Sequence, residues 1–156
     1  MTDIAALVAE YRASTQSFLD AVSRITPDTL DARHPDGWSA RQIVHHIADS
    51  EAQSYARLRR LLAEPGSIIQ GYDEDAWSRS PLLGYEELPI ENALAVFTAV
   101  RAASAALLAR LTPNELAHHG EHSESGRYTV ADWVRIYSSH PREHGDQLLK
   151  ALRGEQ

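Results

Sequence analysis

Two histidines four residues apart, in the run His140-Pro141-Arg142-Glu143-His144, project from the same face of an α-helix about one turn apart. That spacing suits two nitrogen ligands of one metal ion. A third imidazole, His46, lies far upstream in a separate amphipathic segment. Three neutral histidines from two helices, in a chain with no cysteine, describe a three-nitrogen site with an open coordination position, as catalytic zinc requires. Zinc is the expected ion because it accepts imidazole and open coordination, and nickel accepts the same donors. The alternative is an accidental H-x-x-x-H spacing, with His46 a hydrogen-bonded core residue.

The other chemistry-bearing residues sort around this candidate. His34, His118, His119 and His122 stand among polar neighbours in loops or short turns and read as solvated. His45 and His46 are adjacent, so on a helix they point about 100° apart and cannot share a centre. Ile43, Ile47, Ser50 and Ser54 define the inward side, which favours His46. The run from His140 to His144 also matches H-x-x-E-H, the inverted zincin motif, but a small helical bundle leaves no room for a protease cleft. Glu143, Asp49 and Asp146 are candidates to hold a ligating ring by its other nitrogen, and Glu143 or Asp49 to act as a base. No nucleophile elbow, P-loop or dinucleotide fingerprint occurs.

Four segments carry the helical period that must position these groups. They run from about Asp3 to Ser23, Ala40 to Ala63, Ile90 to Leu111 and Val130 to Leu152. No segment alternates for long, so no significant sheet is expected. With 156 residues, 43% hydrophobic and 24% charged, the chain reads as a single all-α domain spanning residues 1–156, a four-helix bundle. The net charge of −7 argues against nucleic acid as a partner. No apolar run approaches the length of a membrane span, and the N-terminus lacks the basic start and apolar core of a signal peptide. A cytoplasmic protein acting on a small molecule is the expectation.

Local signals sharpen the bundle. Ser39 with Gln42 and Thr129 with Asp132 fit capping boxes at the starts of the second and fourth helices, and Trp38 with Ile43 and Tyr128 with Trp133 fit hydrophobic staples. Leu111-Thr112-Pro113-Asn114-Glu115-Leu116 echoes Ile25-Thr26-Pro27-Asp28-Thr29-Leu30, each expected as a short helical turn with Thr as N-cap. This faint repeat predicts two helical hairpins related by a pseudo-twofold axis. His46 and the His140/His144 pair would then lie on equivalent, facing helices. Between the second and third helices a long loop crossover, Glu64 to Leu88, carries Tyr72, Trp77 and Tyr85, either walling a pocket or anchoring the loop. Pro141 removes the hydrogen bond to the Tyr137 carbonyl. The fourth helix therefore kinks there or breaks and restarts, with Ser138 or Ser139 as candidates to compensate.

The run from Trp38 to Glu51, the crossover segment from Ile69 to Trp77, and His140-x-x-x-His144-x-x-Gln147-Leu148 together resemble the DinB-like superfamily, especially its YfiT-like branch. The resemblance extends from Trp38 to about Leu152. It implies a four-helix bundle that binds a divalent metal through three histidines, which by motif position are His46, His140 and His144, and that forms homodimers. It implies activity either as a metal-dependent hydrolase or as a transferase of a low-molecular-weight thiol such as bacillithiol. A relative uses mycothiol to isomerise maleylpyruvate. Pro141 interrupts the family's fourth-helix motif, and Gln147 stands where members of the branch carry a further histidine.

The leading expectation is a metal-dependent thiol transferase, in which the thiol cosubstrate is external to this cysteine-free chain and Tyr72 and Trp77 line the electrophile pocket. Hydrolysis by the same centre is the alternative. A third reading is a non-catalytic, stress-linked bundle with a structural metal.

Overall fold

The computed structural model describes residues 3–156. Four long helices dominate it: α1 (Ile4–Val22), α2 (Ala40–Ala63), α4 (Glu91–Leu108) and α5 (Val130–Ala151), with a short α3 (Glu74–Arg79) in the crossover. Both capping boxes form. Ser39 Oγ accepts from the Gln42 N–H while Gln42 Oε1 accepts from the Ser39 N–H, and Thr129 and Asp132 repeat the exchange. These reciprocal bonds fix the first residues of the two helices that carry the histidines. The echoed turns also form alike: the Thr26 N–H donates to Thr29 Oγ1 and the Thr112 N–H to the Glu115 carboxylate.

The helices enclose two apolar clusters. One gathers Val8 and Tyr11 of α1, Leu58 and Leu61 of α2, Ala105 and Leu108 of α4, and Trp133, Val134 and Tyr137 of α5. The other gathers Phe18, Ile43, Ile47, Phe97 and Leu148. Each helix therefore crosses from one cluster to the other. Chain order through them shows that α1 and α5 run one way and α2 and α4 the other. α1 packs mainly on α5, and α2 mainly on α4. The expected hairpins of α1 with α2 and α4 with α5 are thus replaced by parallel pairs, because the end connections (residues 23–39 and 109–129) are long enough to cross the bundle. Parallel packing of α2 on α4 also explains the long crossover, which must return along the bundle before α4 can start.

Contrary to the sequence expectation, there is a small sheet. β1 (Ile68–Ile69) pairs parallel with β2 (His119–His122), which pairs antiparallel with β3 (Gly126–Thr129). Strands this short show no alternation, and β2, His-Gly-Glu-His, has no apolar face to reveal it. Gly126, with φ of 77°, closes the hairpin in the left-handed conformation that glycine supplies without strain. At Gly120 a Cβ would lie 2.5 Å from the Ser67 carbonyl oxygen, so the approach of β1 to β2 requires glycine.

By length and composition α4 is apolar enough to cross a membrane, against the expectation that no run is. Seven alanines raise its mean hydropathy. In the fold it is a bundle helix, packed on α2 and α1, with Arg101 buried at its centre.

Replacing Gly120 by Ala is expected to cost about 1–3 kcal/mol through overpacking against the β1 backbone. Urea unfolding of the variant measures this, and an unchanged midpoint would show that the crossover gives way freely.

Candidate metal centre

Between the two apolar clusters each long helix turns polar at the same level: Ser14 on α1, His46, Ser50, Glu51 and Ser54 on α2, Arg101 and Ser104 on α4, and Ser138 on α5, all buried. Arg101 organises this layer. Its Nε donates to Thr15 Oγ1 (2.8 Å), Nη1 to Glu51 Oε1 (3.1 Å) and the Tyr137 carbonyl (2.6 Å), and Nη2 to the Tyr11 carbonyl (2.6 Å) and Ser14 Oγ (3.0 Å). All five guanidinium donors are used. Its carbon also lies 3.4 Å from the Tyr11 ring centroid. Burial pushes the Glu51 carboxyl up, while Arg101 and the Ser54 hydroxyl pull it back toward the ionised form.

This network resolves the problem of Pro141. Helix α5 runs unbroken through it from Val130 to Ala151. Proline at that position leaves the Tyr137 carbonyl without its helical donor, and Arg101 supplies the replacement. The serines do not: Ser139 Oγ donates to the Ile136 carbonyl, and Ser138 Oγ has no partner. Because the helix continues, His140 and His144 keep the i, i+4 relation.

The three predicted histidines come together. One nitrogen from each of His46, His140 and His144 lies within 4.8 Å of the others. His144 Nε2 is 3.1 Å from His46 Nε2 and 3.0 Å from His140 Nε2. Ligands at about 2.0–2.1 Å from one tetrahedral zinc stand about 3.3 Å apart, so the spacing fits a common ion. The donor chemistry fits as well. His144 Nδ1 lies 2.8 Å from Gln147 Oε1, which places the proton on Nδ1 and the lone pair on Nε2. That single lone pair cannot satisfy both neighbouring rings, and His46 Nδ1 and His140 Nδ1 are buried without partners. Hydrogen bonding alone therefore leaves the cluster of three Nε2 atoms incomplete, whereas a cation accepting their three lone pairs completes that cluster; the two Nδ1 atoms are untouched by it.

Electrostatics keep the rings neutral. Burial, then the neighbouring His144, lowers His46 to about 3, and burial with both other rings lowers His140 to about 2. Burial lowers His144 too, opposed by its bond to Gln147. Neutral imidazole is the ligating form. Trp38 covers one side, its ring 5.0 Å from that of His46.

On the other side, a cavity of about 200 Å³ opens beside His140, lined also by Arg57, Tyr72, His122 and Tyr137, with Glu74 and Glu124 facing in. Tyr72 thus walls the pocket, as one reading of the crossover had it. Trp77 packs at a tilt against Tyr72 behind the wall, ring centroids 4.6 Å apart, and Tyr85 anchors the crossover by donating to Asp49 Oδ2 (2.5 Å). The carboxylates named from sequence do not join the histidines. Asp49 is taken by Tyr85, Glu143 and Asp146 line a groove between α1 and α5, and Gln147 holds His144 instead. His45 sits on the flank against Tyr85 and the Leu88 carbonyl. Arg57 and His122 were not foreseen in the pocket. His122 arrives on the undetected sheet, and Arg57 stands on α2 among the arginines Arg59 and Arg60, with nothing in the sequence to single it out.

Comparison with known proteins agrees with this picture. The model of the DinB superfamily matches residues 10–148. A protein of Oceanobacillus iheyensis named "Putative metal-dependent hydrolase" is 35% identical over 126 residues, 80% of this chain and 72% of its own length. The solved structure of YfiT from Bacillus subtilis, described as a probable metal-dependent hydrolase with an unusual four-helix bundle topology, superposes with a TM-score of 0.85 at 27% identity, covering 98% of this chain and 89% of its own. TT2238, described as a four-helix bundle protein, shares the fold with a TM-score of 0.65 at 21% identity over 94% of this chain and 98% of its own.

Two outcomes are expected. Arg101→Met should lower unfolding stability by about 3–5 kcal/mol, because Glu51 is left buried and unpaired. Pro141→Ala, which returns an N–H to the Tyr137 carbonyl, should then gain about 1 kcal/mol more in that background than in the parent protein. Denaturant melts of the four proteins check this, and equal gains would break the link between the two residues. The metal-free protein should also lose stability in acid. Below about pH 6.5 the unfolded chain protonates these histidines, while folded His46 and His140 resist to about 3 and 2. The unfolded state then binds more protons, so stability falls as pH drops from 6.5, by up to about 1.4 kcal/mol per pH unit per ring. His46→Gln should flatten that slope in chelator-treated protein, and an unaltered slope would contradict the burial argument.

Proposed function

We propose, from the premise that this chain belongs to the DinB superfamily, that His46, His140 and His144 bind a divalent cation, zinc in the first instance, and that the centre transfers a low-molecular-weight thiol to an electrophilic small molecule. The observation that carries the proposal is the convergence of three neutral imidazoles, with no carboxylate among them, beside a cavity of about 200 Å³. A cation held there supplies Lewis acidity, lowering the pKa of a thiol or water so that a nucleophile is present near neutral pH.

The chain's own residues do the rest. Gln147 orients His144 through Nδ1, and Trp38 shields the buried face at His46. Tyr72, Arg57 and His122 shape the space in which the electrophile lies against His140. In the transfer the sulfur bonds to the electrophilic carbon, the leaving group departs with its electron pair, and the thiol proton passes to solvent. No protein carboxylate is needed as base, which accords with Asp49 being engaged by Tyr85 and Glu143 lying exposed. Hydrolysis is the second reading, favoured by what the relatives are named. It uses the same centre with water in place of the thiol.

Metal-stripped protein should rebind one zinc per chain, and His140→Ala should weaken that binding at least ~100-fold; Gln147→Ala should weaken it about 10–100-fold. Loss of 1-chloro-2,4-dinitrobenzene should require both zinc and an added thiol, followed with cysteine, glutathione and bacillithiol. Turnover of ester or amide substrates with zinc and no thiol would replace transfer by hydrolysis, and failure to bind zinc would remove both readings.

A further inference from the structure

The cavity beside His140 contains more than a metal-activated nucleophile requires. Arg57 reaches into it with its guanidinium fixed from two sides: Nη1 donates to the Tyr137 hydroxyl (3.1 Å) and Nη2 to the Gln70 carbonyl (2.8 Å). Two of its five donors are used, and its Nε is buried without a partner. No carboxylate among the described residues lies within ion-pair distance of it. Across the same cavity the Tyr72 hydroxyl is also buried and lacks a well-formed hydrogen bond. Polar groups buried in this way cost stability unless something satisfies them. The wall is held in place: the Gly71 N–H donates to Ser123 Oγ (2.9 Å), and the Glu124 side chain lies over Gly71, where a Cβ would meet it at 2.6 Å.

We infer that Arg57 and Tyr72 form a subsite for a carboxylate carried by the small molecule that binds beside His140. This rests on the metal reading above, because the subsite fixes one end of a ligand whose other end meets the histidine centre. A fixed guanidinium with free donors and a phenolic hydroxyl together match the acceptors of one carboxylate. Glu74 and Glu124 face the same cavity, and their charge opposes a dianion about twice as strongly as a monoanion, which favours a carboxylate over a phosphate. The cavity, about 200 Å³, has room for the short carboxylate-bearing arm of such a ligand.

The test uses the full-length protein loaded with cobalt(II), whose ligand-field and thiolate charge-transfer absorption reports occupancy of the centre directly. Three thiols are titrated: 3-mercaptopropionate, the neutral 3-mercaptopropanol and 2-mercaptoethyl phosphate. The carboxylate should bind at least ~10-fold more tightly than the alcohol, the scale of one charge-assisted hydrogen-bonded pair, and more tightly than the phosphate. Arg57→Met should abolish the preference. Tyr72→Phe removes only a hydroxyl that lacks a well-formed hydrogen bond, so it should keep the unfolding midpoint and reduce the preference severalfold, which guards against a folding defect at Arg57. Equal binding of acid and alcohol, a preference unmoved in Tyr72→Phe, or tighter binding of the phosphate overturns the inference while the cobalt spectrum leaves the metal reading standing. Absence of any cobalt spectrum overturns both.

Discussion

A guanidinium with almost no access to water joins all four long helices of this bundle. Arg101 stands on α4 and bonds to Tyr11, Ser14 and Thr15 on α1, Glu51 on α2 and Tyr137 on α5. Burying a charge in this way costs several kcal/mol and is tolerated only when its partners are geometrically complete. Replacing the whole layer by well-packed apolar residues would often stabilise such a core, so the layer is poorly explained as a device for stability. What it supplies is position. A guanidinium whose five donors must all be met allows few alternative placements of the helices around it, whereas two purely apolar clusters would tolerate sliding.

That constraint reaches the histidines through backbone. Glu51 and Tyr137 meet the same guanidinium from two neighbouring helices that run in opposite directions. His46 precedes Glu51 on α2 and His140 follows Tyr137 on α5, so both imidazoles fall on the same side of Arg101. The relative height of the two helices, which sequence spacing could not specify, is therefore set by the buried layer. Tyr137 serves twice more: its ring stands edge-on to His140 and its hydroxyl receives Arg57. One residue thus connects the charge in the core, the imidazole triad and the cavity beside it.

The legible parts of the sequence were those with a local physical code. Capping boxes declare themselves within four residues, and α2 spans Ala40–Ala63 as the periodicity and its cap require. The i, i+4 histidines and the inward bias of His46 over His45 follow from helical geometry. What could not be read depends on tertiary pairing. A four-residue strand with a histidine at each end carries no alternation, so the sheet, and with it His122, was invisible. Arg101 interrupts an alanine-rich stripe where a solvated face is the ordinary reading of a charge, and its burial makes sense only once Glu51 and the Tyr137 carbonyl are seen to face it. The direction of the helices was also hidden, since a faint repeat suggests hairpins equally well whether consecutive helices touch or lie on the diagonal.

Pro141 shows how a local rule and a tertiary need can be reconciled. Taken alone, proline inside a helix is a defect, because it removes a donor and crowds the preceding turn. Here the carbonyl it releases is the acceptor for one of the five donors of a buried arginine. With a helical N–H at position 141, the Tyr137 oxygen would divide its lone pairs between the helix and Arg101, and the short 2.6 Å bond would face competition. Without it, the oxygen is free to turn toward the charge. The helix loses an internal bond and gains a stronger one from a neighbouring helix, so α5 is fastened to α4 beside the residues that must hold His140 and His144 in line. The proline expected to kink or break the helix is, on this geometry, part of what fixes the site.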